Sequence, residues 1–147
     1  MGGEPTPEKD RLTREVIGAA IEVHRHLGPG LLESVYEVCL AKELGDRGMR
    51  TVRQVALPVI YKGERLDAGL RIDLLVADTV IVEVKSVEST HPIHEAQLLT
   101  YMRLAERGIG LLINFNTKVL HEGVKRRILS EFLTPSPPSS ALSASQR

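Results

Sequence analysis

The chain has 147 residues, enough for one domain with a real core, and its nineteen basic residues balance nineteen acidic ones. No global field therefore advertises a polyanionic partner. The single cysteine, Cys39, excludes internal disulfides and suits a reducing cytoplasm, and no apolar run reads as a membrane span or a signal peptide.

Residues 1–11 are polar, carry two prolines and read as a loose N-terminal arm. Their first six residues also fit the myristoylation pattern, though with no basic cluster behind it. Thr13 is placed to cap a helix running to about Leu27, with Ile17, Ala20, Ile21, His24 and Leu27 on its apolar stripe. Gly28-Pro29-Gly30 stops it. A second helix is expected from Leu32 to Arg47, with Leu32, Val35, Cys39 and Leu44 inward and Gly48 at its C-terminal cap. Thr51 to Tyr61 is β-rich, with Pro58 marking an edge or a bulge. Lys62-Gly63-Glu64 makes a turn, and Ala68 to Val76 and Thr79 to Lys85 complete a meander. Pro92 opens a third helix to about Arg107, closed by Gly108. Ile109 to Phe115 is fully apolar, as a buried parallel strand would be. In the following stretch Val119-Leu120 could start a strand, and Val124 to Phe132 reads as a short helix. The Pro- and Ser-rich residues 134–147 read as a disordered tail, which leaves 12–133 as the folded domain. The order α-α-β-β-β-α-β predicts an α/β protein with a mixed central sheet flanked by helices.

One stretch carries the chemistry. Thr79 to Lys85 is a Val/Ile run broken only by Glu83 and Lys85, which share one face of a strand while Val80, Val82 and Val84 take the other. Charges in such a run cost desolvation, and the fold must return it through pairing, metal binding or an open cleft. Pairing across the Ala77-Asp78 turn would bring Asp73 toward both.

Asp73 followed by Glu83-Val84-Lys85 resembles the D…(D/E)-x-K core of the PD-(D/E)XK nuclease superfamily, with Ile72 where the superfamily's name has proline. Gly30, Glu33 and Tyr36 are similar to the signature of the GxxExxY family within it. Gln97 and Tyr101 resemble the Q-x-x-x-Y helix motif of RecB-like nucleases. The resemblance spans residues 12 to 131 and implies a restriction-endonuclease-like core that hydrolyses phosphodiester bonds of DNA or RNA. It implies Asp73, Glu83 and the Val84 carbonyl as ligands for Mg²⁺ or Mn²⁺, whose bound water would be the nucleophile. Lys85 would orient that water or stabilise phosphorane charge. Glu33 would hold a metal water or a second ion, while Gln97, Tyr101 and Tyr36 support the site. A small core of this kind is expected to work as a homodimer.

Plainer readings stand beside these. Glu83 and Lys85 make an ordinary charge pair on an exposed face, Asp73 is a solvated acid, and Glu33 complements a helix dipole. Tyr36, Gln97 and Tyr101 are core or interface residues with satisfied polar tips. His91 and His94 lack further ligands at zinc spacing and read as capping or surface groups. His24 reads as a core histidine and Cys39 as a packed thiol. Lys125-Arg126-Arg127 with Lys118 either contact phosphates or form a solvated face. The alternatives to a nuclease are a non-catalytic nucleic-acid-binding or regulatory domain on the same fold, or a structural protein-interaction module.

Overall fold

A computed structural model describes residues 3–133. Helix α1 (Pro7–Leu27) starts earlier than the sequence suggests. Thr6 caps it by accepting from Lys9 N at 3.2 Å, Pro7 occupies the first turn, and Glu8 and Asp10 complement the positive end. Residues 7–11 are thus helix instead of a loose arm. Thr13 is not a cap but a buried residue whose hydroxyl donates to Lys9 O. The helix ends at Gly28, whose φ of 70° suits a residue without Cβ.

Both early helices bury a face rotated from the expected stripe. In α1 the inward residues are Thr13, Val16, Ala19, Ala20 and Val23, and Ile21 is 44% exposed. Helix α2 (Glu33–Asp46) buries Tyr36, Glu37, Leu40 and Leu44, while Leu32 is 75% exposed and Val35 lies at the surface. The Tyr36 ring sets this rotation by stacking on Phe115, centroid to centroid 4.6 Å. Arg47 caps α2 and Gly48 follows with positive φ.

The long strand expected from Thr51 is divided at Leu57-Pro58. Strand β1 (Thr51–Ala56) joins the main sheet, while β2 (Val59–Tyr61) and β3 (Glu64–Leu66) form a separate hairpin about the Lys62-Gly63 turn. Strands β4 (Arg71–Val76) and β5 (Val80–Lys85) pair antiparallel across Ala77-Asp78, two positive-φ residues that make the tight turn. Helix α3 (Pro92–Ala105) crosses over to β6 (Ile109–Asn114), parallel to β5. Glu106 caps α3 in the left-handed conformation, a place the sequence gives to Gly108. The last element is also different: β7 (Val124–Ile128) is an edge strand antiparallel to β6, not a helix, with Val124 and Ile128 turned to the core on one strand face and Lys125 and Arg127 on the other. Two short 3-10 turns flank it, and Leu120 of the first is buried.

The sheet order β1-β4-β5-β6-β7 gives the expected mixed α/β fold. Helices α1 and α2 cover one face through Val16, Tyr36 and Leu40 against Val80, Val82, Val84, Leu111 and Ile113. On the other face α3 lays Leu98 and Met102 on Ile81 and Leu112. Burial on both sides explains why β5 and β6 read as almost unbroken apolar runs. Gly110 allows the close approach of α3, because a Cβ there would lie 2.5 Å from Met102 Sδ and 2.9 Å from Leu98 Cδ1. Among the described residues no helix is long and apolar enough to cross a membrane.

Candidate active site

At one end of β4 and β5 the ladder gives way to side chains. Registered pairing ends at Leu74↔Val82, and continuing it would set Asp73 opposite Glu83. Instead Asp73 N donates to Glu83 Oε2 at 3.0 Å, and Val84 N donates to Asp73 Oδ2 at 2.9 Å. Each carboxylate is therefore fixed by a backbone N–H of the other's strand. The alternation of faces along β4 is interrupted here, since Ile72 joins the α3-side core while Leu74 joins the opposite one.

Glu83 is only 4% exposed, and its Oε1 has no hydrogen-bond partner among the described residues. Burial, reinforced by the neighbouring Asp73 carboxylate, pushes its pKa up to about 8. Burial also raises Asp73, with the Val84 N–H bond opposing and the Glu37 charge adding. The arrangement is a pair of oxygen donors built at electrostatic cost, with one donor atom unpaired.

Lys85 lies beside this pair and favours the ionised form of both acids. Its Nζ donates to Gln97 Oε1 at 3.2 Å, and Gln97 Nε2 donates to Tyr101 Oη at 3.1 Å. Four residues on α3 separate Gln97 from Tyr101, so one helical face carries the chain Lys85–Gln97–Tyr101. Glu33, in the first turn of α2, accepts from Ser86 N at 3.2 Å and so borders the residue after Lys85. Tyr36 stands apart from the acids. Fully buried, it donates to Gly28 O and accepts from Leu31 N at 3.1 Å, which pins the loop that presents Glu33.

Three residues that the sequence does not mark as site candidates complete this end of the sheet. Glu37 is 5% exposed and faces Asp73 from α2. Gln54 Nε2 donates to both Glu37 oxygens at 3.0 and 2.9 Å and reaches Asp73 Oδ1 at 3.5 Å. Arg53 donates to Glu37 Oε2 through Nε at 3.1 Å. Gln54 holds φ at +54° inside β1, a conformation that costs a non-glycine residue about 1–3 kcal/mol. The available signal was Glu37 itself, an acid one turn after Glu33 between residues whose spacing buries them.

Several side candidates find other employment. His91 and His94 form a reciprocal cap: His94 N donates to His91 O and His91 N donates to His94 Nδ1 at 3.1 Å. The ring of half-buried His24 bonds Thr117 O through Nε2. Cys39 is a half-buried free thiol. Lys125 and Arg127 both pair with Glu95, and Arg126 pairs with Asp10, so the basic run is engaged by acids. Lys118 is exposed. The opening residues Met1 and Gly2 and the tail 134–147 lie outside the described residues.

Among the described residues no three His, Cys, Asp or Glu side chains form a ready-made metal cluster. What this end of the sheet presents instead is two carboxylates and the adjoining strand backbone. No curated protein and no solved structure matches the chain. The family model of the PD-(D/E)XK nuclease superfamily matches residues 10–127, and the chain belongs to that superfamily.

Proposed function

We propose that the protein is a metal-dependent nuclease whose centre lies at the Asp73–Glu83–Lys85 end of the sheet. The observation that carries this reading is the unpartnered Oε1 of buried Glu83, interlocked with Asp73. A buried carboxylate oxygen without a donor is costly, and a hard divalent cation is the partner that would satisfy it. The residues fit Mg²⁺ or Mn²⁺: Asp73 and Glu83 supply anionic oxygens, and the Val84 carbonyl lies past the last registered pair of β4 and β5. When bound, such an ion lowers the pKa of a water and polarises a phosphate oxygen.

The chain's own residues supply the rest. Asp73 and Glu83 hold their geometry through the crossed N–H bonds, so little reorganisation is needed on binding. Lys85, anchored by Gln97, keeps an ammonium where it can orient the attacking water or offset charge on the phosphate. Gln97 and Tyr101 position Lys85. Glu33, with one oxygen spent on Ser86 N, has the other to hold a water. Tyr36 acts through the loop before Glu33.

Within the superfamily we assign the chain to the GxxExxY group. Each motif residue has a physical task that supports the assignment. Gly30 has a φ of 100°, Glu33 accepts from the N–H of Ser86 next to Lys85, and Tyr36 ties the loop before Glu33. The folded nuclease unit is residues 12–133 together with the preceding turns of α1, and its partner is DNA or RNA.

The test is cleavage of labelled single-stranded DNA, duplex DNA and RNA with Mg²⁺ or Mn²⁺. Cleavage that disappears with chelator, in Asp73→Ala and in Lys85→Ala, while both variants stay folded, supports the assignment. Binding without cleavage by the wild type would replace it with a non-catalytic nucleic-acid-binding role.

A further inference from the structure

We propose that His94 contacts the substrate, its Nε2–H donating a hydrogen bond to a non-bridging oxygen of the phosphate held at the Lys85 end of the cleft. This inference rests on the nuclease reading and names one more residue for the same site.

The tautomer is set by the cap. The backbone N–H of His91 can only donate, so His94 Nδ1 at 3.1 Å must accept and the ring proton resides on Nε2. That Nε2 has no partner among the described residues. Its direction follows from helix geometry. His94, Gln97 and Tyr101 stand at i, i+3 and i+7 on α3, one stripe, and the middle member touches Lys85 Nζ at 3.2 Å. The ring thus sits one turn before Gln97, toward the N-terminal end of α3.

Electrostatics agree with this placement. The half-buried ring is held below the usual imidazole range first by desolvation and then by the Lys85 charge, with Glu33 acting in the opposite sense. Both flanking groups of the proposed site therefore act on this imidazole. His91 braces it edge-on, with ring centroids 5.9 Å apart. A neutral ring with a fixed Nε2–H at the positive end of a helix is a preorganised donor for a phosphate oxygen. Capping alone would use one ring nitrogen and leave the other without a task.

Two substitutions divide the ring. His94→Asn retains an amide oxygen where Nδ1 sits, keeping the cap, but has nothing at the Nε2 position. His94→Gln reaches the Nε2 position with an amide N–H but leaves His91 N unpaired. Wild type and both variants are assayed for Mn²⁺-dependent oligonucleotide cleavage, Mn²⁺ binding by calorimetry, and thermal unfolding. The expected result is that His94→Asn loses about ten- to hundredfold in kcat/KM with Mn²⁺ affinity and melting temperature unchanged. His94→Gln melts lower yet cleaves better than His94→Asn. Cleavage by His94→Asn equal to wild type would overturn the proposal and leave a cap alone, as would a deeper loss in His94→Gln than in His94→Asn. A wild type that binds Mn²⁺ and nucleic acid without cleaving would instead overturn the nuclease reading, and this contact with it.

Discussion

The N–H of Asp73 donates to the carboxylate of Glu83, while the carboxylate of Asp73 takes the N–H of the residue after Glu83. Two strands that should continue pairing exchange side chain for backbone at this point. The ladder's lost hydrogen bonds are replaced, and two acids are held side by side in a place that penalises both charges.

The penalty predicts a pH dependence. Glu83 in the folded protein has a pKa of about 8 against an ordinary value of 4.5, so between those limits the folded state keeps a proton that the unfolded state releases. Stability from this group is fully present below pH 4.5, declines as pH rises to about 8, and is level beyond. In the proposed site a divalent cation would compete for the same oxygens, so its affinity should climb over that window. Thermal unfolding at pH 5 to 9, with and without Mn²⁺, should show the metal-induced rise in melting temperature growing toward pH 8. Glu83→Gln, which can still accept from Asp73 N, should flatten both trends and abolish cleavage. An unchanged metal response in that variant would remove Glu83 from the donor set.

Lys85 and Gln97 should separate in degree. Lys85→Ala removes the ammonium and is expected to lower kcat about 100-fold or more, with little change in stability because the side chain is half-exposed. Gln97→Ala keeps the ammonium and loses only its anchor, so the drop should be nearer tenfold. Equal losses would mean that Gln97 does more than hold Lys85.

The convergence of Asp73, Glu83 and Lys85 was legible in the sequence, for reasons that differ by residue. Glu83 and Lys85 announced themselves as charges inside a β-branched run, and Asp73 followed from the Ala77-Asp78 turn and a period-2 count. The helical faces of α1 and α2 were misread by about one residue. Apolar stripes such as Ile17–Ile21 or Leu32–Val35 fit two adjacent rotations, and only the stacking of Tyr36 on Phe115, 79 residues later, decides between them. The strand at Val124–Ile128 was hidden by its three consecutive basic residues, which find their partners only once Glu95 and the edge of β6 are in place. Gln54 gave no local sign. Its side chain is engaged by two carboxylates from separate elements.

The packing of α3 also makes a prediction, since the Gln97–Lys85 contact depends on how closely the helix approaches β6. A methyl at position 110 would overlap Met102 Sδ and Leu98 Cδ1, both fully buried, so Gly110→Ala must displace side chains or lift the helix. Overpacking of this kind costs about 1–3 kcal/mol. Chemical denaturation should register that loss, and cleavage should fall along with it. Met102→Ala should cost less on the Gly110→Ala background than in the wild type, because the new methyl fills part of the space it vacates.

Gln54 offers the sharpest contrast, because its backbone and its amide act in opposite directions. In ordinary strand positions glycine is less stable than alanine by roughly 0.5–1 kcal/mol. At φ +54° the order should invert: Gln54→Ala keeps the backbone penalty and loses both bonds to buried Glu37, whereas Gln54→Gly loses the bonds but relieves the penalty. Urea denaturation should therefore find Gln54→Gly more stable than Gln54→Ala by about 1 kcal/mol, with both below wild type. Both should also cleave poorly, since the charge of Glu37 would no longer be screened from Asp73 by the amide. If alanine proves the more stable, position 54 carries no strain and the left-handed residue beside the acids is incidental to them.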